Sequence, residues 1–215
     1  MKRSMIAVSI VAMLLVAGAA SGATVIYTSE AAFTAAIDAG YYLEEFSAYA
    51  TWAPVASPIH LGPNNGWQYD VSASWGSLWG LSTGGGGGGA VSTGWLDPDL
   101  TIMPTGTQEV KAIGGWFFAT DWNGNLVAAT IHIALSDGTV EEYTSSASAY
   151  DFRGFTSTVP ITSLSISVPG NPHTDQIDGA YPTLDHVYVG TPEPATLALM
   201  GLGGAAALLR RRRGR

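Results

Sequence analysis

The 215-residue chain has no cysteine, which excludes disulfide bonds and thiolate chemistry. Seven of its nine basic residues lie in the first three or the last six positions, so residues 24–191 hold two basic and 16 acidic residues, a formal charge of −14. Because such a field repels phosphate backbones, we expect no nucleic-acid partner.

Residues 1–23 have the three parts of a secretory signal peptide. Lys2 and Arg3 supply the positive start, residues 5–16 form an apolar segment, and small residues follow. Ser21 and Ala23 fit the −3 and −1 positions of a cleavage site. We therefore expect an exported chain that begins near Thr24, the alternative being an uncleaved anchor.

One helix is predicted near the start of the mature chain. Residues 30–39 are rich in alanine, and Thr28 or Ser29 can cap the helix with a side-chain hydroxyl. Phe33 and Ile37 are four residues apart and therefore share one face. A glycine at position 40 ends the pattern.

The rest of residues 24–190 predicts strands, because apolar and polar residues alternate there with a period of two. The predicted strands are residues 25–27, 41–46, 67–71, 110–118, 127–135, 139–143, 164–168 and 184–189. Residues 47–66 predict a loop with a short extended stretch at 58–61. Six consecutive glycines at 84–89 predict a mobile loop, because glycine loses the most backbone entropy on ordering.

Turn residues between the predicted strands indicate the fold class. Asp137 and Gly138 predict a tight hairpin, and similar turn chemistry recurs about every ten residues. The sequence therefore predicts an all-β domain over residues 24–190. We expect an antiparallel, jelly-roll-like β-sandwich with the short helix at its end or edge.

The last 25 residues combine three unlike compositions. Pro192, Glu193 and Pro194 are followed by an apolar segment over residues 195–209. The cationic end consists of Arg210, Arg211, Arg212, Arg213 and Arg215. As a helix, the apolar segment spans ~22 Å, less than the ~30 Å hydrocarbon core of a bilayer. A short transmembrane helix with its arginines in the cytoplasm is predicted, the alternative being a buried core helix before a solvated charge run.

This tail, residues 191–215, resembles the PEP-CTERM sorting signal. The resemblance implies a substrate of an exosortase, a membrane peptidase of Gram-negative-type bacteria that make exopolysaccharide. It implies recognition at Pro192, Glu193 and Pro194, loss of the helix and arginines, and release or attachment outside the cell. We therefore expect an inner-membrane-anchored precursor, with transient membrane contact, and then a mature chain at the cell surface or outside the cell.

Parts of the middle are similar to the β domains that such signals often follow. The similar segments are residues 32–33, 43–46, 114–118, 135–139, 154–164 and 184–187. This second resemblance supports the fold more than any activity.

One turn combines three oxygen-bearing side chains. Asp121, Asn123 and Asn125 have ligand types that calcium prefers, although the spacing is not that of an EF-hand loop. The alternative is a β-turn whose Asp and Asn side chains bond their own backbone. Further calcium candidates are Asp175, Asp178 and Asp185.

Seven tryptophans are many for a domain of this size. Six of them lie in or near predicted loops: Trp52, Trp67, Trp75, Trp79, Trp95 and Trp122. Exposed aromatic rings stack on sugar faces, so Trp75, Trp79 and Trp122 are predicted to contact a glycan. The alternative for each is core packing, which is expected most clearly for Trp116.

The sequence predicts no catalytic residues. Its four histidines lack metal-ligand spacing, and Ser77 is one position early for a nucleophile elbow. Glu44–Glu45 and Glu141–Glu142 are adjacent strand residues that point to opposite faces. We expect a non-enzymatic surface or matrix protein associated with exopolysaccharide or biofilm, with no cofactor other than calcium. The alternatives are a carbohydrate-binding module and a secreted glycan hydrolase.

Overall fold

The computed structural model describes residues 23–82, 88–96, 98–170 and 179–194. These residues form fifteen strands, one α-helix and a single 3-10 turn at Ser47–Tyr49. The helix α1 spans Glu30–Thr34. The strands are β1 (Thr24–Tyr27), β2 (Tyr42–Glu44), β3 (Ala53–Val55), β4 (Ile59–Asn64), β5 (Trp67–Ala73), β6 (Leu78–Ser82), β7 (Gly89–Thr93), β8 (Leu100–Pro104), β9 (Ala112–Thr120), β10 (Leu126–Val127), β11 (Thr130–Leu135), β12 (Val140–Thr144), β13 (Phe152–Ser157), β14 (Leu164–Ser167) and β15 (Tyr181–Gly190).

The strands form two antiparallel sheets, which confirms the predicted all-β class with one short helix. The larger sheet has nine strands in the order β1-β13-β9-β15-β7-β6-β3, with β10 beside β9 and β2 beside β15. The smaller sheet has six strands in the order β12-β11-β14-β8-β5-β4. The predicted signal peptide, apart from Ala23, and the apolar segment 195–209 lie outside the described residues.

One apolar core joins the two sheets. The larger sheet contributes fully buried residues such as Ile113 and Phe117, and the smaller sheet contributes Val71, Ile102 and Ile133. The larger sheet also buries side chains on its other face, called here the outer face. Phe33 of α1 packs there on β9, β13 and β15, within a cluster that includes Ala112, Phe152 and Tyr188.

The helix is shorter than the predicted 30–39. Ser29 does cap it, since its Oγ accepts a hydrogen bond from Ala32 N at 3.5 Å. The chain then leaves the helical path, because Ile37 forms an antiparallel bridge with Pro192. The predicted helix was too long because the contact of Ile37 with the distant Pro192 outweighs the helix propensity of the alanines.

Several strands were not predicted. Residues 47–66 contain β3, which was not predicted, and β4, which overlaps the extended stretch predicted at 58–61. The glycine run ends in β7, where Gly89 is the first strand residue. A Cβ on Gly89 would lie 2.1 Å from Phe46 O, so close packing selects glycine there. β8 and β13 were also not predicted. Residues of β8 do alternate between buried and less buried positions, and Gly154 of β13 packs against Phe33.

The predicted hairpin turn is confirmed. Gly138 N donates to Leu135 O at 3.0 Å, and Gly138 has a φ of +89°. Ala134 and Val140 form the pair of β11 and β12 next to this turn.

Asp137 also connects this turn to the first strand. Its Oδ2 accepts hydrogen bonds from Thr24 Oγ1 at 2.5 Å and Ser157 Oγ at 2.9 Å, and its Oδ1 accepts one from Thr139 N at 2.9 Å. Partial burial raises the pKa of Asp137, but these hydrogen bonds lower it, and the pKa lies below its ordinary value. The ionised form therefore stabilises the fold.

We expect Asp137→Ala to lower the free energy of unfolding by about 1–3 kcal/mol, because three donors lose their acceptor. Since the folded-state pKa is lowered, this stabilisation is present above the unfolded pKa and is lost as pH falls through the folded value. Urea unfolding at neutral and acidic pH measures both effects. Glu142→Gln, at an exposed position on β12, is the matched control. Equal effects of the two variants would contradict the assignment.

Candidate functional site

Polar and aromatic side chains form a row across the outer face of the larger sheet. Trp79 on β6 is opposite Ser92 on β7, and Ser92 is opposite Thr183 on β15. Thr183 is in turn opposite Phe118 on β9. Since opposed residues of an antiparallel pair share a face, strand register alone places this row on one surface.

A cleft lies on this surface, and we call it the aromatic cleft. It is shallow, with an interior volume of about 20 Å³, and is therefore a groove on the surface rather than a deep pocket. Aromatic rings and short polar side chains line it: Trp52, Trp79, Leu81, Ser92, Thr93, Gly94, Thr120, Asp121, Trp122 and Tyr181.

Four aromatic rings line the cleft, those of Trp52, Trp79, Trp122 and Tyr181. Trp122 has its ring centre 6.2 Å from that of Trp79 and 6.2 Å from that of Tyr181. Trp52 and Trp122 are each 44% exposed, although solvent-exposed indole rings are costly. Exposed flat ring faces of this kind are suited to a ligand with an apolar face of its own.

The turn over residues 121–125 forms one wall of the cleft. Asp121 Oδ1 accepts hydrogen bonds from Asn123 N at 2.8 Å and Asn125 N at 2.9 Å, and its Oδ2 accepts one from Asn125 Nδ2 at 3.0 Å. Gly124 has a φ of +76°, and a Cβ there would lie 2.6 Å from Trp52 Cζ3. The turn is therefore held by its own side chains and supports the Trp52 ring.

A second region of interest lies where β15 ends. After Gly190 and Thr191, Pro192 is buried, whereas Glu193 and Pro194 are exposed. Asp38 N donates to Thr191 O at 2.9 Å, and Glu193 N donates to Ala36 O at 3.0 Å. The tail therefore leaves the β domain as an extended segment held against it.

Residues 191–213 match the family model of the PEP-CTERM protein-sorting motif. The chain carries a PEP-CTERM sorting motif. The motif indicates an exported protein that is sorted at the membrane by an exosortase system. No curated protein matches the chain.

The PEP-CTERM motif is only partly covered by the structure. Pro192, Glu193 and Pro194 are described, whereas the predicted cationic residues Arg210, Arg211, Arg212 and Arg213 lie outside the described part. Among residues 23–82, 88–96, 98–170 and 179–194, no helix has the length and apolar character to cross a membrane. The prediction for residues 195–209 concerns other residues and stays a prediction.

The structure separates the three tryptophans predicted to contact a glycan. Trp79 and Trp122 line the aromatic cleft, whereas Trp75 is 48% exposed and faces Trp95, with ring centres 5.9 Å apart. Trp52 and Tyr181 complete the cleft but were not selected from the sequence. Trp52 is one of the six loop tryptophans of the sequence, but nothing local distinguishes it from the others, and Tyr181 has no local signal. Strand register and the Gly124 contact bring both to the cleft.

Two other tryptophans lie where the sequence did not predict them: Trp67 was expected near a loop and Trp116 in the core. Trp67 is buried in the core, and its Nε1 donates to Gly40 O at 2.7 Å. Trp116 is half-buried on the outer face rather than in the core between the sheets. Its ring stacks on His186 at 3.9 Å and on Tyr150 at 5.3 Å, because its position on β9 points away from the smaller sheet.

The calcium candidates have different surroundings. Within the described ranges, no three His, Asp or Glu side chains come together as a metal-binding group. Asp175 and Asp178 lie outside those ranges. Calcium at Asp121, Asn123 and Asn125 stays a prediction, but the observed hydrogen bonds favour its alternative, the self-bonded turn.

Asp185 lies at a bulge in β15 and is 1% exposed. Its Oδ1 accepts a hydrogen bond from His186 N at 2.6 Å and lies 3.1 Å from His186 Nδ1. Burial raises the pKa of Asp185 to about 6, although the neighbouring His186 lowers it. His186 has a φ of +48°, so the bulge holds a residue in a strained region.

We expect a chelator to leave the melting temperature unchanged, because the turn at Asp121 is closed by its own amides. In contrast, Asp121→Ala should lower the melting temperature by about 2–4 °C, equivalent to ~1 kcal/mol in a domain of this size. Thermal melts with EDTA and with added calcium make the comparison. A clear loss of stability on chelation in wild type, absent in Asp121→Ala, would instead assign an ion to this turn.

The raised pKa of Asp185 predicts a pH dependence. Between pH 4 and about 6 the folded state binds the Asp185 proton more tightly than the unfolded state does, so stability falls as pH rises. Asp185→Asn removes this dependence. We expect wild type to lose on the order of 1–3 kcal/mol relative to the variant between pH 4 and 6.5, measured by urea unfolding. A difference that stays constant with pH would refute the assignment.

Proposed function

We propose that the chain is delivered across the inner membrane, processed at its tail, and retained at the cell surface or in the matrix as a non-enzymatic, jelly-roll-like β-sandwich. In this role the β domain binds exopolysaccharide through the aromatic cleft. The observation that carries the proposal is the grouping of Trp52, Trp79, Trp122 and Tyr181 around one open cleft.

The chemistry of the cleft favours a sugar ligand. Sugars present apolar C–H faces that stack on aromatic rings and hydroxyls that bond to polar side chains at the edges. Trp122 and Trp79 offer tilted rings with centres 6.2 Å apart. The hydroxyls of Ser92, Thr93 and Thr120 are buried and bond within the protein, so stacking on the rings is the main contact. A single rigid turn supports two of the rings, which reduces the entropy lost on binding.

The charge of the domain favours a neutral glycan. Residues 24–191 have a formal charge of −14, and Asp121 lines the cleft itself. Carboxylated or sulfated chains would be repelled by this field, whereas neutral sugars would not. We therefore expect neutral polysaccharides to bind in preference to uronic-acid polymers.

Binding is favoured over hydrolysis, the other glycan-directed function. Glycosidases usually place two carboxyl groups on either side of the scissile bond. Within the described part of the chain, Asp121 is the one carboxylate that lines the cleft, and its oxygens already accept three hydrogen bonds. This arrangement supports a binding module.

Polysaccharide retention tests the proposal. We expect Trp122→Ala and Trp79→Ala to weaken binding of a neutral polysaccharide about tenfold each, equivalent to ~1.4 kcal/mol. Trp95→Ala is the matched control, because Trp95 is 43% exposed, like Trp122 at 44%, but lies outside the cleft. Affinity electrophoresis and glycan arrays provide the measurements.

Two results would count against the proposal. If wild type retains no polysaccharide in either assay, the β domain is not a glycan binder. If Trp95→Ala weakens retention as much as Trp122→Ala, binding occurs elsewhere on the surface. Thermal melts of each variant show whether a loss of binding reflects a loss of folding.

A further inference from the structure

The sorting motif has a binding site within its own chain. Residues 36–38, here called the docking segment, follow α1 and pair antiparallel with the start of the motif through the Ile37–Pro192 bridge. Asp38 N donates to Thr191 O at 2.9 Å and Glu193 N donates to Ala36 O at 3.0 Å, on either side of that bridge. Backbone hydrogen bonds of this kind are how sheet edges hold extended peptides.

The docking segment occupies the one backbone donor within Pro192, Glu193 and Pro194. Proline has no N–H, so within Pro192, Glu193 and Pro194 the Glu193 amide is the sole donor. That amide is bonded to Ala36 O. A peptidase that binds these three residues through their backbone therefore cannot accept a hydrogen bond from the Glu193 amide while the segment is docked.

Side-chain exposure also differs among Pro192, Glu193 and Pro194. Pro192 is buried, and its partner Ile37 is 2% exposed, within the cluster formed by Phe33 and Tyr188. Glu193 and Pro194 are exposed. The docked motif thus displays the carboxylate but hides the first proline, so recognition of all three residues requires the segment to open.

The position of the motif adds a steric constraint. β15 ends at Gly190, and Thr191 alone separates it from Pro192. The folded domain therefore lies directly against the motif, without a linker that a processing enzyme can enter.

We infer that the docking segment is a gate on processing: it binds the motif, and the motif must detach before the exosortase-type peptidase cleaves. Local opening of a few backbone hydrogen bonds is an ordinary low-energy fluctuation of folded proteins. The gate makes the rate of processing depend on the folded state of the β domain. This inference rests on the tail processing proposed above.

The gate can be loosened at one backbone atom. Asp38→Pro removes the N–H that donates to Thr191 O, whereas the matched control Asp38→Ala keeps that N–H and removes the same side chain. In membranes that contain an active exosortase-type peptidase, we expect the full-length Asp38→Pro precursor to be processed severalfold faster than Asp38→Ala. Mass spectrometry of the C-terminus follows the loss of Arg215.

The gate can also be locked. The chain has no cysteine, so Asp38→Cys with Thr191→Cys introduces the sole possible disulfide. The Ile37–Pro192 bridge places residues 38 and 191 opposite each other, and such residues have Cα atoms about 5.5 Å apart, within disulfide reach. We expect the oxidised form to be processed at least tenfold more slowly than the reduced form, with the single-cysteine variants as controls.

Amide hydrogen exchange tests the dock without any peptidase. In the purified full-length chain, the Glu193 amide should be protected in wild type and Asp38→Ala, and should exchange faster in Asp38→Pro. If the Glu193 amide of wild type exchanges at the rate of an unstructured peptide, the motif is not docked on residues 36–38. A protected amide together with equal processing of the loosened, locked and wild-type chains would overturn the gate. If wild type itself is never processed, the proposed processing fails, while exchange still decides the dock.

Discussion

The antiparallel pairing of β15 with β9 positions both the aromatic cleft and the start of the sorting motif. The two strands pair from Tyr181 to Gly190, interrupted by the bulge at Asp185, while β7 and β2 pair with the other edge of β15. The first residue of β15 lines the aromatic cleft, and its last residue leads into the sorting motif. The buried centre of the larger sheet therefore connects the proposed binding surface to the start of the sorting motif.

The outer face of the larger sheet explains why aromatic rings collect there. The central strands β9 and β15 are buried on both faces, so the face away from the smaller sheet needs its own cover. Near the motif, α1 supplies that cover through Phe33. At the other end, loops contribute Trp52 and Trp122, whose rings cover the sheet only partly and leave an open cleft. Incomplete cover of an aromatic surface is what makes it available to a ligand.

Local patterns predicted much of the strand content, and distant contacts account for the errors. The hairpin at Asp137 and Gly138 and the alternation in β11 and β14 depend on neighbouring residues, so both were predicted. The end of α1 depends on Pro192, and the glycine at the start of β7 depends on Phe46, both far away in sequence. Two of the four rings of the cleft, Trp79 and Trp122, were predicted because residue type is a local property, whereas the grouping of particular tryptophans depends on strand register.

The sequence by itself determined the export and sorting of this protein, because the PEP-CTERM motif is a linear segment whose order of prolines, apolar residues and arginines has meaning before folding. It also determined the acidic character and the all-β class. Tertiary structure alone decided which tryptophans share a cleft, that Asp185 is buried, and that the motif is docked on residues 36–38. The physical reason is that strand register and backbone pairing bring together residues that no local pattern connects.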